Sequence, residues 1–331
     1  MNDSTLADRI PRDLLDAEAG GRPLRPLAAL VEEIADLKRV RAAHLKGSWA
    51  AWRFGQAWAT LLDCWGDDAA VLSLAIDEAA RAVAAARLGA ITPGQLREGK
   101  LGRDAIVGVF QRSVREQGGV PAMLLPTLLS AVQRFVDDDL AGRPDRDEPS
   151  IAEALRRQPR AGATCPGKAR VLLDPPESHA DHCYVVAVCG VLAAAGEGAD
   201  PVRPFLFGLT HHLHNVTLAD SGFAGEVLLG DDLDRVIDAL FETAFRQLPG
   251  SLADAVRTMR PEFAAADTAD ARAFHTADVL DRVAEMRHFE RAATFAAQTA
   301  LHDLDLVHAG PTQAFGQHVL RSAGWWAEPA N

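Results

Sequence analysis

Histidine residues concentrate in the second half of this sequence, at spacings that would bring several imidazoles to one point. Ten of the eleven histidines lie there. A neutral imidazole is the commonest metal ligand, and residues three or four apart on a helix share one face. His179 with His182, and His211 with His214, have this spacing. These pairs predict a metal site, although a continuing helix would turn His212 away by about 100°.

A second set of candidate ligands lies further along the chain, at a spacing of three. His275, Asp278 and Asp281 would present one imidazole and two carboxylates on the same face of a helix. Nitrogen and oxygen donors together suit manganese, iron, cobalt, zinc or magnesium, and the sequence does not choose among these divalent ions. For Asp281 the favoured interpretation is an ordinary ion pair with its neighbour Arg282.

The elements that must position these residues are predicted to be helices. Residues 24–45 place apolar side chains at spacings of three and four, with charged residues between them, which indicates an amphipathic helix. No segment shows the two-residue alternation of an exposed strand, so the fold is predicted to be all-α. The other predicted helices are 49–62, 68–88, 103–116, 121–140, 179–194, 204–213, 231–246, 252–259, 269–289 and 292–300.

Two stretches rich in glycine and proline interrupt the helical pattern near the middle of the chain. They cover residues 141–150 and 162–176. We therefore predict a helical domain of unassigned role over residues 1–165 and a metal-binding domain over residues 166–331.

Composition excludes several classes of partner. The formal net charge of −12 repels phosphate backbones and anionic lipid, so nucleic acid and membranes are not expected to bind, and a small anionic substrate would need a local cation. The start of the sequence has no basic leader or apolar core, which predicts a cytoplasmic location. The sequence contains four cysteines without a CxxC pair, and neither GxGxxG, a P-loop nor GxSxG.

Three short segments resemble the HD-domain superfamily. HCYVVA, residues 182–187, resembles the helix that carries the first metal-binding histidine of that family. FGLTHH, residues 207–212, resembles the apolar run that ends in its His-Asp pair, and TADVLD, residues 276–281, resembles its distal Ala-Asp. The resemblance covers about residues 170 to 290. It implies an HD-like helical bundle after the helical N-terminal region, and metal ligation by His182, His211 and Asp278.

The sequence departs from the family pattern at His212, which stands where the family has its aspartate. The family carboxylate binds metal and bridges two ions in dinuclear members, which a neutral imidazole cannot do in the same way. Asn215 and Asp220 stand where the nucleotidase-like branch has a catalytic glutamate and an aspartate. An amide can orient water but cannot take its proton, so Asp220 or Glu226 is the better candidate base.

Several histidines keep more than one interpretation. His179 could bind metal, cap its helix or contact substrate. His212 and His214 could be further ligands, a clamp for an anionic group or hydrogen-bonded core imidazoles. All three stay in the predicted ligand set.

The resemblance implies a metal-dependent hydrolase that acts on a phosphate ester or nucleotide-like small molecule, with a divalent ion and no organic cofactor. Extra histidines are typical of a minority branch of the family, whose members are non-haem iron oxygenases, and this is the first alternative. The second is a non-catalytic ligand-binding or interaction module. The N-terminal half could serve as a docking surface, a lid, a regulatory domain or the interface of a homodimer.

Overall fold

The computed structural model describes residues 24–142, 145–294, 307 and 313–323, and helices dominate this part of the chain. Its described residues contain two isolated bridges, Pro159 with Ser178 and Ala163 with Val171, but no β-strand. The all-α prediction is confirmed. The helices are α1 (Arg25–Ala35), α2 (Trp49–Cys64), α3 (Asp68–Leu88), α4 (Pro93–Glu98), α5 (Arg103–Arg115), α6 (Leu125–Leu140), α7 (Ser150–Arg157), α8 (His179–Glu197), α9 (Val202–Thr210), α10 (Gly222–Leu229), α11 (Leu233–Phe245), α12 (Gly250–Glu262), α13 (Ala269–Thr294) and α14 (Gln313–Ser322).

Helix α8, which carries His179 and His182, begins at a capping box. Ser178 Oγ accepts a hydrogen bond from the backbone N–H of Asp181, and the Asp181 carboxylate accepts one from the backbone N–H of Ser178. These bonds satisfy amide groups that the first turn of a helix leaves free. The helix ends at Gly198, whose φ of 69° lies in the left-handed region that glycine adopts without strain.

Two predicted helices end earlier in the structure than the sequence suggested, and both differences affect the site. The helix predicted over residues 24–45 stops at Ala35 and continues as a 3₁₀ turn through Lys38. The helix predicted over residues 204–213 stops at Thr210, and a second 3₁₀ turn follows at Leu213–Val216. A 3₁₀ turn has fewer residues per turn than an α-helix, so the side chains that follow point in new directions.

Four helices were not predicted, namely α4, α7, α10 and α14. The first three are eight residues or shorter and α14 has ten residues, and such segments carry too few turns to show a clear apolar period. The helix predicted over residues 292–300 lies outside the described residues beyond Thr294.

Helix α8 lies at the centre of the core. Its side chains from His179 to Ala194 are all buried. By length and composition it could cross a membrane, but 89% of its apolar window is buried inside the structure, which is the setting of a core helix. One large hydrophobic core joins buried residues from α1 to the first part of α13.

The first compact unit of the structure runs through Ala284, and a second unit begins at Glu285. The second unit contains the last residues of α13 and the whole of α14. The boundary predicted at residues 165 and 166 falls inside the first unit, and its meaning for independent folding stays a prediction.

Helices α8 and α9 approach each other closely at one glycine. A Cβ atom on Gly208 would lie 2.5 Å from Ala187 Cα and 2.7 Å from Ala187 N, well inside van der Waals contact. The absent side chain therefore allows two backbones to touch, and this contact sets the distance between the helix that carries His182 and the helix that ends before His211.

Candidate metal centre

Three separate parts of the chain bring the candidate ligands together. The first turn of α8 carries His179 and His182, which are fully buried. His211 and His212 follow the last residue of α9, and Asp278 lies in α13. Because α9 ends at Thr210, the two adjacent histidines are not on opposite faces of one helix. Their ring centroids are 4.3 Å apart, and both rings lie 5.2 Å from that of His182.

His182 and His211 face each other through their Nε2 atoms, which lie 3.2 Å apart. His182 Nδ1 lies 2.7 Å from a carboxylate oxygen of Asp281, and His211 Nδ1 lies 2.8 Å from the carbonyl oxygen of Gly208. Both partners are acceptors, so in the neutral form of each ring the proton resides on Nδ1. The two Nε2 lone pairs then point toward each other, an arrangement that a cation between them stabilises.

Asp278 supplies an oxygen to the same point. Its Oδ1 atom lies 3.3 Å from His182 Nε2, and its side chain is 20% exposed. Arg282 Nη1 lies 3.7 Å from the other oxygen of Asp278. The arginine thus pairs with Asp278, and not with Asp281 as the sequence had suggested.

The charges around this point favour a positive ion. Burial and the nearby Arg160 lower the pKa of His182, but the carboxylates of Asp278 and Asp281 raise it more, and the net direction is upward. Burial lowers the pKa of His211 to about 3. Burial raises the pKa of Asp278, but its hydrogen bond to His182 and the surrounding positive charge outweigh this and hold the pKa well below its usual range.

His212 is bound on both sides by other side chains. Its Nδ1 atom lies 2.9 Å from Asn215 Oδ1, and its Nε2 atom lies 3.0 Å from Arg160 Nη1. Asn215 in turn donates to the carbonyl oxygen of Leu218. An arginine has no lone pair to offer and must donate, so His212 accepts from Arg160 through Nε2 and donates to Asn215 through Nδ1. In this arrangement the lone pair of His212 is already engaged.

His179 lies beside His212 with both of its ring nitrogens unused. Its ring centroid is 4.7 Å from that of His212, and neither nitrogen has a hydrogen-bond partner among the described residues. Burial, with a contribution from Arg160, lowers the pKa of His179 to about 2, so the ring is neutral. A buried, unpaired ring nitrogen is costly unless a ligand or water binds it.

Asp220 lies near His179, and its carboxylate is held by backbone amides. Its Oδ2 atom accepts from Ala161 N at 3.0 Å and lies 3.8 Å from His179 Nε2. Its Oδ1 atom accepts from Gly222 N at 2.8 Å. Glu226, the other candidate base, is exposed on α10, and none of the hydrogen bonds of the described residues joins it to the histidines.

His214 and His275 lie at the margin of the cluster. The ring of His214 packs 5.6 Å from that of His212 and 5.2 Å from that of Phe241, and its Nδ1 atom lacks a partner among the described residues. Burial lowers its pKa to about 4. His275 Nε2 lies 2.9 Å from the carbonyl oxygen of Phe263, to which it donates, so this ring is satisfied away from the facing pair.

Two residues of the site were not identified from the sequence. Lys38 reaches Asp281 from 243 residues away, and Arg160 reaches His212 from 52 residues away. The amphipathic pattern of residues 24–45 placed Lys38 among solvated charges, but the 3₁₀ turn rotates it inward, where its side chain is 1% exposed. The local spacing of residues gives no information about contacts between side chains that are this far apart in the sequence.

The donor set fits a divalent metal ion. His182 Nε2, His211 Nε2 and Asp278 Oδ1 are two imidazole nitrogens and one carboxylate oxygen, and three protein ligands leave positions for water or substrate. Ligand atoms of His182, His211 and His212 also lie within 4.8 Å of one another. The bond from His182 Nδ1 to Asp281 is the kind of support that metal-binding histidines almost always have.

Comparison with known proteins gives one match. Residues 152–309 match the family model described as the HD domain. This range contains all three segments that resembled the HD superfamily in the sequence. Neither the curated proteins nor the solved structures contain a match to the chain.

Proposed function

The chain belongs to the HD-domain superfamily through residues 152–309, and from this premise we propose that it is a metal-dependent hydrolase of a small phosphate ester. The observation that carries the proposal is the facing pair of Nε2 atoms of His182 and His211, with Asp278 Oδ1 beside them. A metal cation suits two opposed lone pairs and a carboxylate. The superfamily is one of metal-dependent, phosphohydrolase-like proteins.

The metal would be held by His182, His211 and Asp278. When bound there, a divalent ion supplies an acidified water molecule and neutralises charge on the group under attack. The protein's own contribution is to keep Nδ1 of both imidazoles protonated, through Asp281 and the carbonyl oxygen of Gly208, so that both Nε2 lone pairs stay available.

Arg160 favours an anionic substrate. In a protein with a formal net charge of −12, it is a partly buried cation next to the histidine cluster. Its hydrogen bond among the described residues is to His212, a neutral ring and not a carboxylate. Its remaining N–H groups can donate to phosphate oxygens, which a planar guanidinium matches well.

Asp220 is the better of the two candidates for proton transfer. Its carboxylate is oriented by two backbone amides and lies 3.8 Å from His179, whereas Glu226 is exposed. Each carboxylate oxygen has a second lone pair, so the amide bonds leave acceptor capacity for a water molecule or a leaving group. Asn215 has a different role, because its amide orients His212.

The test is the metal content of purified wild-type protein and of His211→Ala and Asp278→Ala, after incubation with each candidate ion. His44→Ala and Asp104→Ala remove the same side chains at exposed positions and serve as matched controls. We expect stoichiometric metal and hydrolysis of p-nitrophenyl phosphate in the wild type and both controls, and loss of both in the two site variants. A wild type that retains none of the ions would contradict the proposal.

A non-haem iron oxygenase is the second candidate function. It is favoured by the unpartnered nitrogen atoms of His179 and His214, which could serve as additional ligands. Against it, Asn215 and Arg160 engage both nitrogens of His212. Two irons per chain, together with turnover that requires oxygen, would replace the first proposal by this one.

A further inference from the structure

Lys38 is a buried lysine that lies outside the HD domain. It ends the 3₁₀ turn after α1, more than a hundred residues before the matched range begins. Its side chain is 1% exposed. Desolvating an ammonium group is costly, so lysine is rarely buried unless carboxylates surround it.

Lys38 is in contact with two carboxylates, both of which lie on the Nδ1 side of His182. Its Nζ atom lies 2.7 Å from Glu177 Oε1, in the segment before α8. It also lies 2.6 Å and 2.8 Å from the two oxygens of Asp281, in α13. The ammonium therefore connects three parts of the chain that are far apart in sequence.

Asp281 joins this lysine to the metal ligands. The oxygen that accepts from Lys38 at 2.8 Å, Oδ2, also lies 2.7 Å from His182 Nδ1. The side chain of Asp281 is 0% exposed, so the lysine and the imidazole contact a carboxylate that is buried in the core. These two partners, on either side of the carboxylate, define its orientation.

That orientation matters for the metal-binding atom of His182. A carboxylate that accepts from Nδ1 places the proton there, leaves the lone pair on Nε2 and fixes the plane of the ring. If Asp281 turned away, the proton of His182 could move to Nε2 and block the nitrogen that faces His211.

We propose that Lys38 is a positioning residue for the metal centre. It holds Asp281 in the orientation that keeps His182 Nε2 free, so the HD domain is incomplete without the N-terminal part of the chain. The inference rests on the metal site of the proposed function but not on hydrolysis. It gives residues before the matched range a direct role in metal binding.

The experiment titrates Co²⁺ into the metal-free full-length protein and measures both the Kd and the visible absorption of the bound ion. The variants are Lys38→Met, which keeps most of the side chain without the charge, and Lys38→Arg, which keeps the charge. The control is Arg53→Met, which breaks a different buried pair, between Arg53 and Glu78. A stability measurement on every variant separates loss of affinity from loss of folded protein.

We expect Lys38→Met to weaken Co²⁺ binding by about 10- to 100-fold, the usual cost of losing a residue that supports a metal ligand, and to change the absorption spectrum. Lys38→Arg should restore part of the affinity, and Arg53→Met should leave the Kd and spectrum of the folded protein unchanged. A folded Lys38→Met with wild-type Kd would overturn the proposal. So would equal weakening in Arg53→Met, because the effect would then be a general consequence of lower stability.

If Lys38→Met does not fold, Lys38→Gln decides the question, because its polar side chain suits the buried site better than Met but carries no charge. We expect weaker Co²⁺ binding and an altered spectrum, whereas a folded Lys38→Gln with the wild-type spectrum and Kd would refute the role. A wild type that binds no metal ends this inference together with the proposed function. Metal binding that depends on Lys38 without any phosphatase activity supports this inference and contradicts only the hydrolase.

Discussion

A ring nitrogen binds a metal only through a lone pair, so the protons on the two facing imidazoles decide what this site can do. The acceptors beside Nδ1 of His182 and His211 are a buried carboxylate and a helix carbonyl. Both are fixed parts of the fold. The proposed metal site is therefore preorganised by groups that are not themselves the proposed ligands.

In the proposed function Arg160 binds the substrate but not the metal, so one substitution can test substrate binding separately from metal binding. Arg160→Met removes a guanidinium that is free to meet a phosphate, and we expect the KM for p-nitrophenyl phosphate to rise by about 10- to 100-fold, the usual worth of a hydrogen bond to a charged group. Metal content should not change. Arg157→Met makes the same change at an exposed position three residues earlier and should leave KM unaltered. Steady-state kinetics with parallel metal analysis checks both, and an unchanged KM in Arg160→Met contradicts the role.

The site residues that were identified from the sequence all lie in short, recognisable sequence motifs. His182, His211 and Asp278 stood out because each follows or precedes a short apolar motif. Arg160 and Lys38 were missed because their partners are distant along the chain. Asp281 does form an ion pair, but the partner inferred from the sequence was wrong for the same reason, since Arg282 is adjacent in the sequence and Lys38 is distant.

Among the elements, helix ends determine the site more than helix interiors do. Apolar periodicity predicted α2, α3 and α8 well, because their buried faces extend over many turns. It did not predict the end of α9 at Thr210, where neither glycine nor proline follows. There the Thr210 hydroxyl donates a hydrogen bond to Leu206 O, one turn earlier. Gly208 packs tightly against α8, and the backbone changes direction after this contact.

The contact of Gly208 with α8 gives a prediction about these two helices. Gly208→Ala places a methyl group where Ala187 backbone atoms already lie, so α9 must move away from α8. We expect a loss of about 1–3 kcal/mol in the free energy of unfolding, the usual cost of overpacking, and weaker metal binding because His182 and His211 separate. Denaturant unfolding and Co²⁺ titration measure the two effects.

Gly196→Ala is the matched control in α8, because a Cβ atom there meets nothing within 4 Å. It should be neutral or stabilising by up to about 1 kcal/mol, since alanine has the higher helix propensity. If Gly208→Ala proves as harmless as Gly196→Ala, the close approach of the two helices does not set the spacing of the ligands.

For the whole molecule, the question is whether the two predicted halves are energetically separate. One hydrophobic core contains buried residues of α1–α3 together with those of α8, α9 and the first part of α13. Ser48 Oγ also hydrogen-bonds Asp181 across the predicted boundary, as Lys38 does with Asp281. Contacts of this kind link the stability of the first half to events in the second.

Metal binding should therefore stabilise residues that lie far from the metal. In a Trp325→Phe/Trp326→Phe background the remaining tryptophans, at positions 49, 52, 58 and 65, all lie in the first half of the chain. With Co²⁺ at 100 times its Kd, linkage predicts about 2.7 kcal/mol of added stability in the transition that these tryptophans report. The same addition should have no effect in His211→Ala, which lacks a proposed ligand. The contrary result would be a tryptophan transition with the same midpoint with and without Co²⁺, while the Co²⁺ absorption disappears at a higher denaturant concentration. That result would show that the two halves unfold independently.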